Sequence, residues 1–542
     1  MAEKLTNEQL LLLNNLMYMN EKPFKSITEY NNVSVKTIVN KIEGYDLDDN
    51  KDYGSFMTGA DWKELVAAIK SDEQLMNMKI IAINEDSAPN GGGGVSAVFV
   101  DTDTKEAAVV FRGTAGREWE DNFIGGGKTD TTDGVSTPYQ ENALEWYRSL
   151  KLEDYYVTIT GHSKGGNKAK YVTVKDNTVD RCVSFDGQGF SDDFLRRYAP
   201  EIQHNQSKIQ NCCVEGDFVN ILLNDIGTTT YYKGYDYGKG GFAENHCPNT
   251  FFNFKEDGTY SMEVGTQDPN MQEVDKFLNS YLRTLSDEDK QKTLSMIGKL
   301  VEEGFNGADI NKIMDILLKD DNVDYVASLL AYTIKYEQAN PELINALKNV
   351  LDASGLSKLN DVVDTVVEVT NWKYFDLAAG VAGIVANHLP GFIEDKLRDL
   401  VKDKLGYEIS ESDLEKLLSV IGKTSNDMGN VELNTSGEDL KALVSPFYEF
   451  FSKKKFMVEP SKLQEAENQM EGHRKQLEEL QRQLEEVTKQ LDVGKFLPKV
   501  QLVALAMSIN NESKKCLQMK NALRNIRTNY TKSEQRIYSK VV

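Results

Sequence analysis

The hydrophobic period of the chain changes along its length, and each change marks a different architecture. Up to about residue 70 the apolar positions recur at helical spacing. Thr6-x-x-Gln9 reads as a capping box ahead of LLLLNNLMYM, and DWKELVAAI from Asp61 predicts a second helix. From Met78 the period shortens to two, and MKIIAIN, VSAVFVDT and EAAVVFRGT predict three strands. Pro89-Asn90 and Gly91 to Gly94 punctuate the first two as a turn; no Lys-Ser/Thr follows to make the glycines a phosphate cradle. Helices and strands then alternate. PYQENALEWYRSL predicts a helix opened by Pro138, Tyr155 to Thr160 a strand, and NKAKYVTV a helix. RCVSFDGQGF reads as a strand, FLRRYA as a helix, and KIQNCCV and TTTYYKGY as further strands. This alternation predicts a largely parallel sheet with helices on both faces over residues 1–265.

Strand signals stop near Asp268. Amphipathic segments such as TLSMIGKLVEE and LINALKNVLDA, with caps at Ser286 and Asn340-Pro341, predict an all-helical middle domain over residues 266–455. The last stretch, residues 456–542, keeps strict 3–4 spacing at Leu463, Ala466, Met470, His473, Leu477, Leu480, Leu484, Val487 and Leu491. Gly494 and Pro498 break it, and a second seam runs from Leu505 through Glu512, Cys516 and Leu523 to Ile537. Two such helices predict a helical hairpin, whose apolar seams need other helices to cover them. The fold class expected is an α/β-hydrolase-type domain, a helical middle domain and a C-terminal helical hairpin.

The formal net charge is −23, which argues against nucleic acid as a partner. Residues 456–542 carry 15 Lys+Arg against 11 Asp+Glu, a surplus of +4 that leaves −27 for the rest. That break also separates the C-terminal module. Five cysteines at Cys182, Cys212, Cys213, Cys247 and Cys516 have no metal-ligand spacing and read as reduced residues. The N-terminus lacks a basic n-region and its apolar run is broken by Asn14 and Asn15, so no Sec signal peptide is expected. Leu377 to Ala386 is too short to span a bilayer. The expectation is a soluble chain made in the cytoplasm that leaves the cell, if it does, by another route.

The chemistry concentrates in YYVTITGHSKGGN. A strand, G-x-S-x-G and a helix in that order describe a nucleophile elbow with Ser163 at its apex. A serine hydroxyl needs a base. Of the five histidines, His162 lies inside the elbow, His204 in a polar loop, His388 in an apolar helical stretch and His473 in the coiled-coil seam. His246, on a loop after the last strand, is the expected base. The orienting acid should fall between serine and histidine in the chain. Asp217 in VEGDFVN stands at the favoured strand end, Asp186 in SFDGQGF is the second choice, and Asp225 a remote third. Asp186 could instead bond the amides of its own turn. The oxyanion donors expected are the N–H of Lys164 and the N–H and hydroxyl of Thr114, which ends an earlier strand. The histidines are scattered and no metal or other cofactor is expected.

FRGT followed by a Trp/Asp pair, GHSKGGN, SFDGQGF, EGDFV and a late histidine resemble the α/β-hydrolases related to the class 3 lipases, over roughly residues 1–255. The resemblance implies a Ser163–Asp217–His246 triad, with Thr114 lining the oxyanion hole. The C-terminal hairpin resembles the WXG100/LXG-type modules of type VII secretion substrates, although Val493-Gly494-Lys495 stands at the turn in place of W-x-G. Tyr530-x-x-x-Glu534 matches the Y-x-x-x-D/E export signal of that system. An enzyme first and a targeting module last is similar to the type VII-secreted lipase toxins with reverse domain arrangement in Gram-positive bacteria. That resemblance implies a secreted phospholipase A acting on membrane glycerophospholipid. It also implies small helical WXG100/Lap-like partners on the hairpin, the type VII secretion machinery as carrier, and an immunity protein, a lipoprotein, in the producer. The alternative is an intracellular esterase or an inactive hydrolase fold serving as a scaffold through its coiled coil.

Overall fold

In the computed structural model the described residues are 4–19, 22–54, 57–85, 94–114, 122, 125, 129, 131–235, 245–255, 259–305, 309–353, 357, 359–370, 391–428 and 460–490, with Ser513, Cys516, Leu517, Lys520 and Arg524 beyond them. The chain divides into two compact units, Met1–Gly437 and Glu438–Val542. The glycine turn at 89–93, the Trp119-Glu120-Asp121 motif, His388, the apolar stretch from Leu377, the export motif at Tyr530 and Glu534 and most of the second seam lie outside the described residues. So does the expected domain border at 455/456.

The first unit is built on a seven-stranded sheet in sequential order: β1 (Lys79–Glu85), β2 (Val95–Asp101), β3 (Glu106–Phe111), β4 (Tyr156–His162), β5 (Arg181–Phe185), β6 (Ile209–Val214) and β7 (Thr228–Tyr232). The first three strands form an antiparallel meander and β3 to β7 run parallel. Only short loops separate the first three, whereas helices separate β3, β4, β5 and β6, which is what parallel crossovers require.

Side chains alternate across a strand, and β4 shows how that sets the two faces. Thr160 accepts a hydrogen bond from the amide of Asn14 at 3.0 Å, on the face covered by α1 (Asn7–Leu16). Its neighbour Gly161 looks the other way, where a Cβ would meet the Gly165 carbonyl carbon at 2.1 Å. Gly165 belongs to α2 (Lys164–Lys175), which packs beside α3 (Pro138–Ser149) and α4 (Ala199–Asn205) on that second face. The capping box that opens α1 is present, with Gln9 N–H on Thr6 Oγ1 at 3.2 Å and Thr6 N–H on Gln9 Oε1 at 2.8 Å. Asn14 and Asn15, which interrupt the apolar run, are buried and bond the helix's own carbonyls of Leu10 and Leu11. α1 is therefore apolar nearly all round because it is covered all round. His204, expected in a polar loop, lies in the last turn of α4.

From Pro269 to Met428 the described elements are helical. The first of them, α5 (Pro269–Leu282), opens on Asp268, whose carboxylate accepts from the Asn270 and Met271 N–H groups at 2.8 and 3.1 Å. It packs with α6 (Leu343–Ala353) against the end of the sheet: Met271, Val274, Ala346 and Val350 enclose Ile221 and meet Phe218. Three hydrogen bonds tie the helices to loops of the sheet domain. Asn279 donates to Ile221 O at 3.3 Å, Arg283 to Asn224 Oδ1 at 3.0 Å, and Asn245 to Ala353 O at 2.8 Å. Among the described residues no helix is long and apolar enough to cross a membrane.

In the second unit α7 (Pro460–Gln490) is a single long helix. Lys520 reaches Glu471 at 2.8 Å and Arg524 reaches Glu467 at 3.4 Å, so the returning segment runs antiparallel to it, as a hairpin must. Among the described residues the face turned to that segment is mixed, with Glu467 buried on it. Of the expected seam, Met470 and Leu477 are half-buried, whereas His473 and Leu480 are exposed.

Candidate active site

Ser163 sits between β4 and α2 with φ 59° and ψ −128°, a backbone conformation that ordinary residues avoid. The turn closes because its neighbours lack side chains: a Cβ on Gly165 would lie 1.9 Å from Phe111 O. Lys164 is the first residue of α2, so its N–H points out of the helix N-terminus, where the helix dipole favours negative charge. Thr114 stands just beyond β3, and its hydroxyl accepts from the Asn122 amide at 2.8 Å. Asn122 is itself held through its carbonyl by Gln188 at 3.0 Å. Both expected oxyanion residues therefore stand at the end of the sheet that carries Ser163.

His246 Nδ1 lies 2.5 Å from Asp217 Oδ2. The Asp217 carboxylate is fully buried, and its other oxygen accepts from the Asn220 N–H at 2.9 Å. His246 Nε2, the nitrogen a triad turns toward serine, has no hydrogen-bond partner. The His246 ring is stacked 4.7 Å from the ring of His162, the residue directly before Ser163. The structure thus brings Ser163, His246 and Asp217 into one neighbourhood from three separate loops.

Asp186 lies beside this group. It is buried, with Oδ1 accepting from the Val214 N–H at 2.8 Å and from the Asn220 amide at 3.0 Å, and Oδ2 unpaired. Its bonds go to β6 and the following loop, not to its own turn. Burial, and after it the charge of Asp217, hold its carboxyl well above the usual carboxylate range. Asn220 therefore bridges the two carboxyls, with its N–H on Asp217 and its amide on Asp186. Asp225, the remote third choice for the acid, pairs with buried Lys170 at 2.5 Å.

His162, set aside in the sequence as lying within the elbow, is buried and bonded through Nδ1 to the Tyr18 hydroxyl at 2.7 Å. Burial first, and the neighbouring His246 second, push its pKa well below the usual value, so it is a neutral imidazole. Tyr18 lies far away in the chain and nothing local announces it. Asn220 was legible in principle, since D-x-x-N is the spacing at which an aspartate bonds the third N–H on. The expectation of scattered histidines holds for His204 and His473, but His162 and His246 meet, and with Asp186 they place one potential ligand atom each within 4.8 Å of one another. The five cysteines form no disulfide with one another, and burial pushes the Cys182 and Cys212 thiols up to about 12.

Taken together, a strained serine at a helix N-terminus and a histidine held by a buried carboxylate stand side by side on an α/β-hydrolase fold followed by helical regions. The family described as Mbeg1-like matches residues 69–298. Among solved structures the chain is similar to the Lip2 lipase of Yarrowia lipolytica, at 13% identity and a TM-score of 0.28, covering 48% of this chain and 85% of that one. The nonglycosylated form of the same lipase gives 15% identity and a TM-score of 0.25, covering 43% and 79%. No curated protein matches the chain.

Proposed function

We propose that the chain is a serine esterase of the phospholipase A type that releases fatty acid from membrane glycerophospholipids. The observation that carries this reading is the His246–Asp217 bond at 2.5 Å beside an elbow serine in a strained conformation. Ser163 attacks the acyl carbonyl, His246 takes its proton and later returns one to the leaving alcohol, and the Lys164 N–H and Thr114 hold the oxyanion. Water then cleaves the acyl-Ser163 ester. The test is lipid hydrolysis by wild type beside Ser163→Ala, with products identified by mass. Activity that survives the substitution would remove the serine mechanism.

The same proposal makes the protein a secreted antibacterial toxin exported by a type VII system. Its supports are the hairpin of the second unit and the motif at Tyr530 and Glu534. Large hydrophobic side chains are exposed at Val264, Leu480 and Leu517, and two of these three lie in the hairpin. Small helical partners would cover them, and a lipoprotein immunity factor would protect the producer. Co-purification of the full chain with small helical proteins encoded beside it, and loss of export when Tyr530 is replaced, are the expected results.

A further inference from the structure

Three buried polar atoms beside His246 lack partners: His162 Nε2, Asp186 Oδ2 and His246 Nε2. The three residues bring potential ligand atoms within 4.8 Å of one another. Buried polar atoms normally find partners; His246 Nε2 is the nitrogen a triad turns toward serine, and the two others, His162 Nε2 and Asp186 Oδ2, point to a ligand. The opposite atom of each group is already fixed. The Tyr18 hydroxyl holds His162 Nδ1 at 2.7 Å, Val214 and Asn220 hold Asp186 Oδ1 at 2.8 and 3.0 Å, and Asp217 holds His246 Nδ1 at 2.5 Å. Metal-ligating imidazoles are held in this way, with the nitrogen away from the ion bonded to an oxygen that sets ring orientation and tautomer. A His162 that donates from Nδ1 to the Tyr18 oxygen has its lone pair on Nε2, beside His246.

We propose that His162, Asp186 and His246 form a site for a divalent transition ion of the Zn²⁺ kind, and that the ion switches the esterase off. The inference rests on the reading of His246 as the base for Ser163. Two imidazoles, one carboxylate and an open fourth position suit Zn²⁺, whereas Ca²⁺ and Mg²⁺ want oxygen ligands. Around a tetrahedral zinc the ligand atoms stand about 3.3 Å apart, so small side-chain rotations close the site. The His246 side chain retains 12% exposure, which gives the ion a way in. Once bound, the ion occupies the Nε2 lone pair that would accept the serine proton, and hydrolysis stops until a chelator removes it.

The test uses the full chain, stripped with EDTA and desalted. Calorimetric titration with Zn²⁺ alone should show one ion per chain, in wild type and equally in Ser163→Ala, which keeps all three ligands. His162→Gln should weaken binding at least about 10-fold, and Tyr18→Phe, which removes one oxygen behind His162, by about 10- to 100-fold. In wild type, ester hydrolysis should fall in step with occupancy and return with chelator. Failure of Zn²⁺ to bind stoichiometrically, binding untouched by Tyr18→Phe, or full occupancy without inhibition would each overturn the proposal. If His162→Gln does not fold, Tyr18→Phe decides alone. If wild type hydrolyses no ester, the binding titrations still settle the metal site, so failure of the esterase reading is distinguished from failure of this one.

Discussion

Replacing each of the two neighbouring carboxyls by its amide should separate their roles by several powers of ten. In Asp217→Asn the Asn220 N–H, 2.9 Å from Oδ1, keeps the amide oxygen on its own side. The new NH₂ then faces His246 Nδ1, 2.5 Å from the atom it replaces, and two donors cannot share that contact. The imidazole must turn to the tautomer with its hydrogen on Nε2, which cannot take the serine proton. The loss of kcat expected for such a tautomer error is about 10⁴-fold, or about 5.5 kcal/mol of barrier. In Asp186→Asn the amide oxygen keeps both bonds at Oδ1, from Val214 and from Asn220. The NH₂ takes the place of Oδ2, which accepts no hydrogen bond. The exchange therefore removes no bond at that position, so kcat should fall less than about 10-fold. Both variants are assayed on one chromogenic acyl ester, with melting curves to show that each is folded. Equal losses, or a larger loss for Asp186→Asn at unchanged melting temperature, would refute the argument.

Burial, opposed by the Asn279 amide, raises the Asp275 carboxyl to about 6. A folded pKa above the unfolded value of about 3.9 gives stability that is complete below pH 4 and lost as pH rises through 6. Asp275→Asn should therefore match wild type near pH 4 and exceed it by roughly 2–3 kcal/mol at pH 7.5 in denaturant melts; a difference that does not grow with pH rejects the sign. Lys170 is fully buried against Asp225 and Gly187 O, so Lys170→Ala should cost about 3–5 kcal/mol in the same melts, because it strands the carboxylate. Deleting residues 456–542 should leave the hydrolysis rate of the remaining chain unchanged and abolish co-purification with helical partners. A truncated protein that precipitates or melts early contradicts the separation into units.

The elbow was legible because its determinants are consecutive. Gly161, Ser163 and Gly165 state the turn, and the strand before and helix after state its context. The capping boxes at Thr6 and the helix start at Pro138 were readable for the same reason. The preference for Asp217 over Asp186 rested on strand-end position alone, whereas the raised carboxyl of Asp186 comes from its own burial and then from Asp217, 31 residues away, and is written in no local pattern. The Tyr18–His162 contact spans 144 residues and joins the turn after α1 to the elbow, so only the packed molecule shows it. In the hairpin, heptad spacing marked the helix correctly. It did not reveal that a row of Glu and Arg, with Glu467 buried, would face the returning segment and leave Leu480 outside.

The hydrogen bond from Asn245 to Ala353 O and the seat of Phe218 on Val350 and Met271 have a consequence for timing. On the ribosome the serine, the acid and the histidine emerge long before Leu343–Ala353 does. Until that helix is synthesised, the loops bearing Asp217 and His246 lack their outer wall. The walls of both loops are therefore completed by a stretch of chain that supplies neither of those two residues.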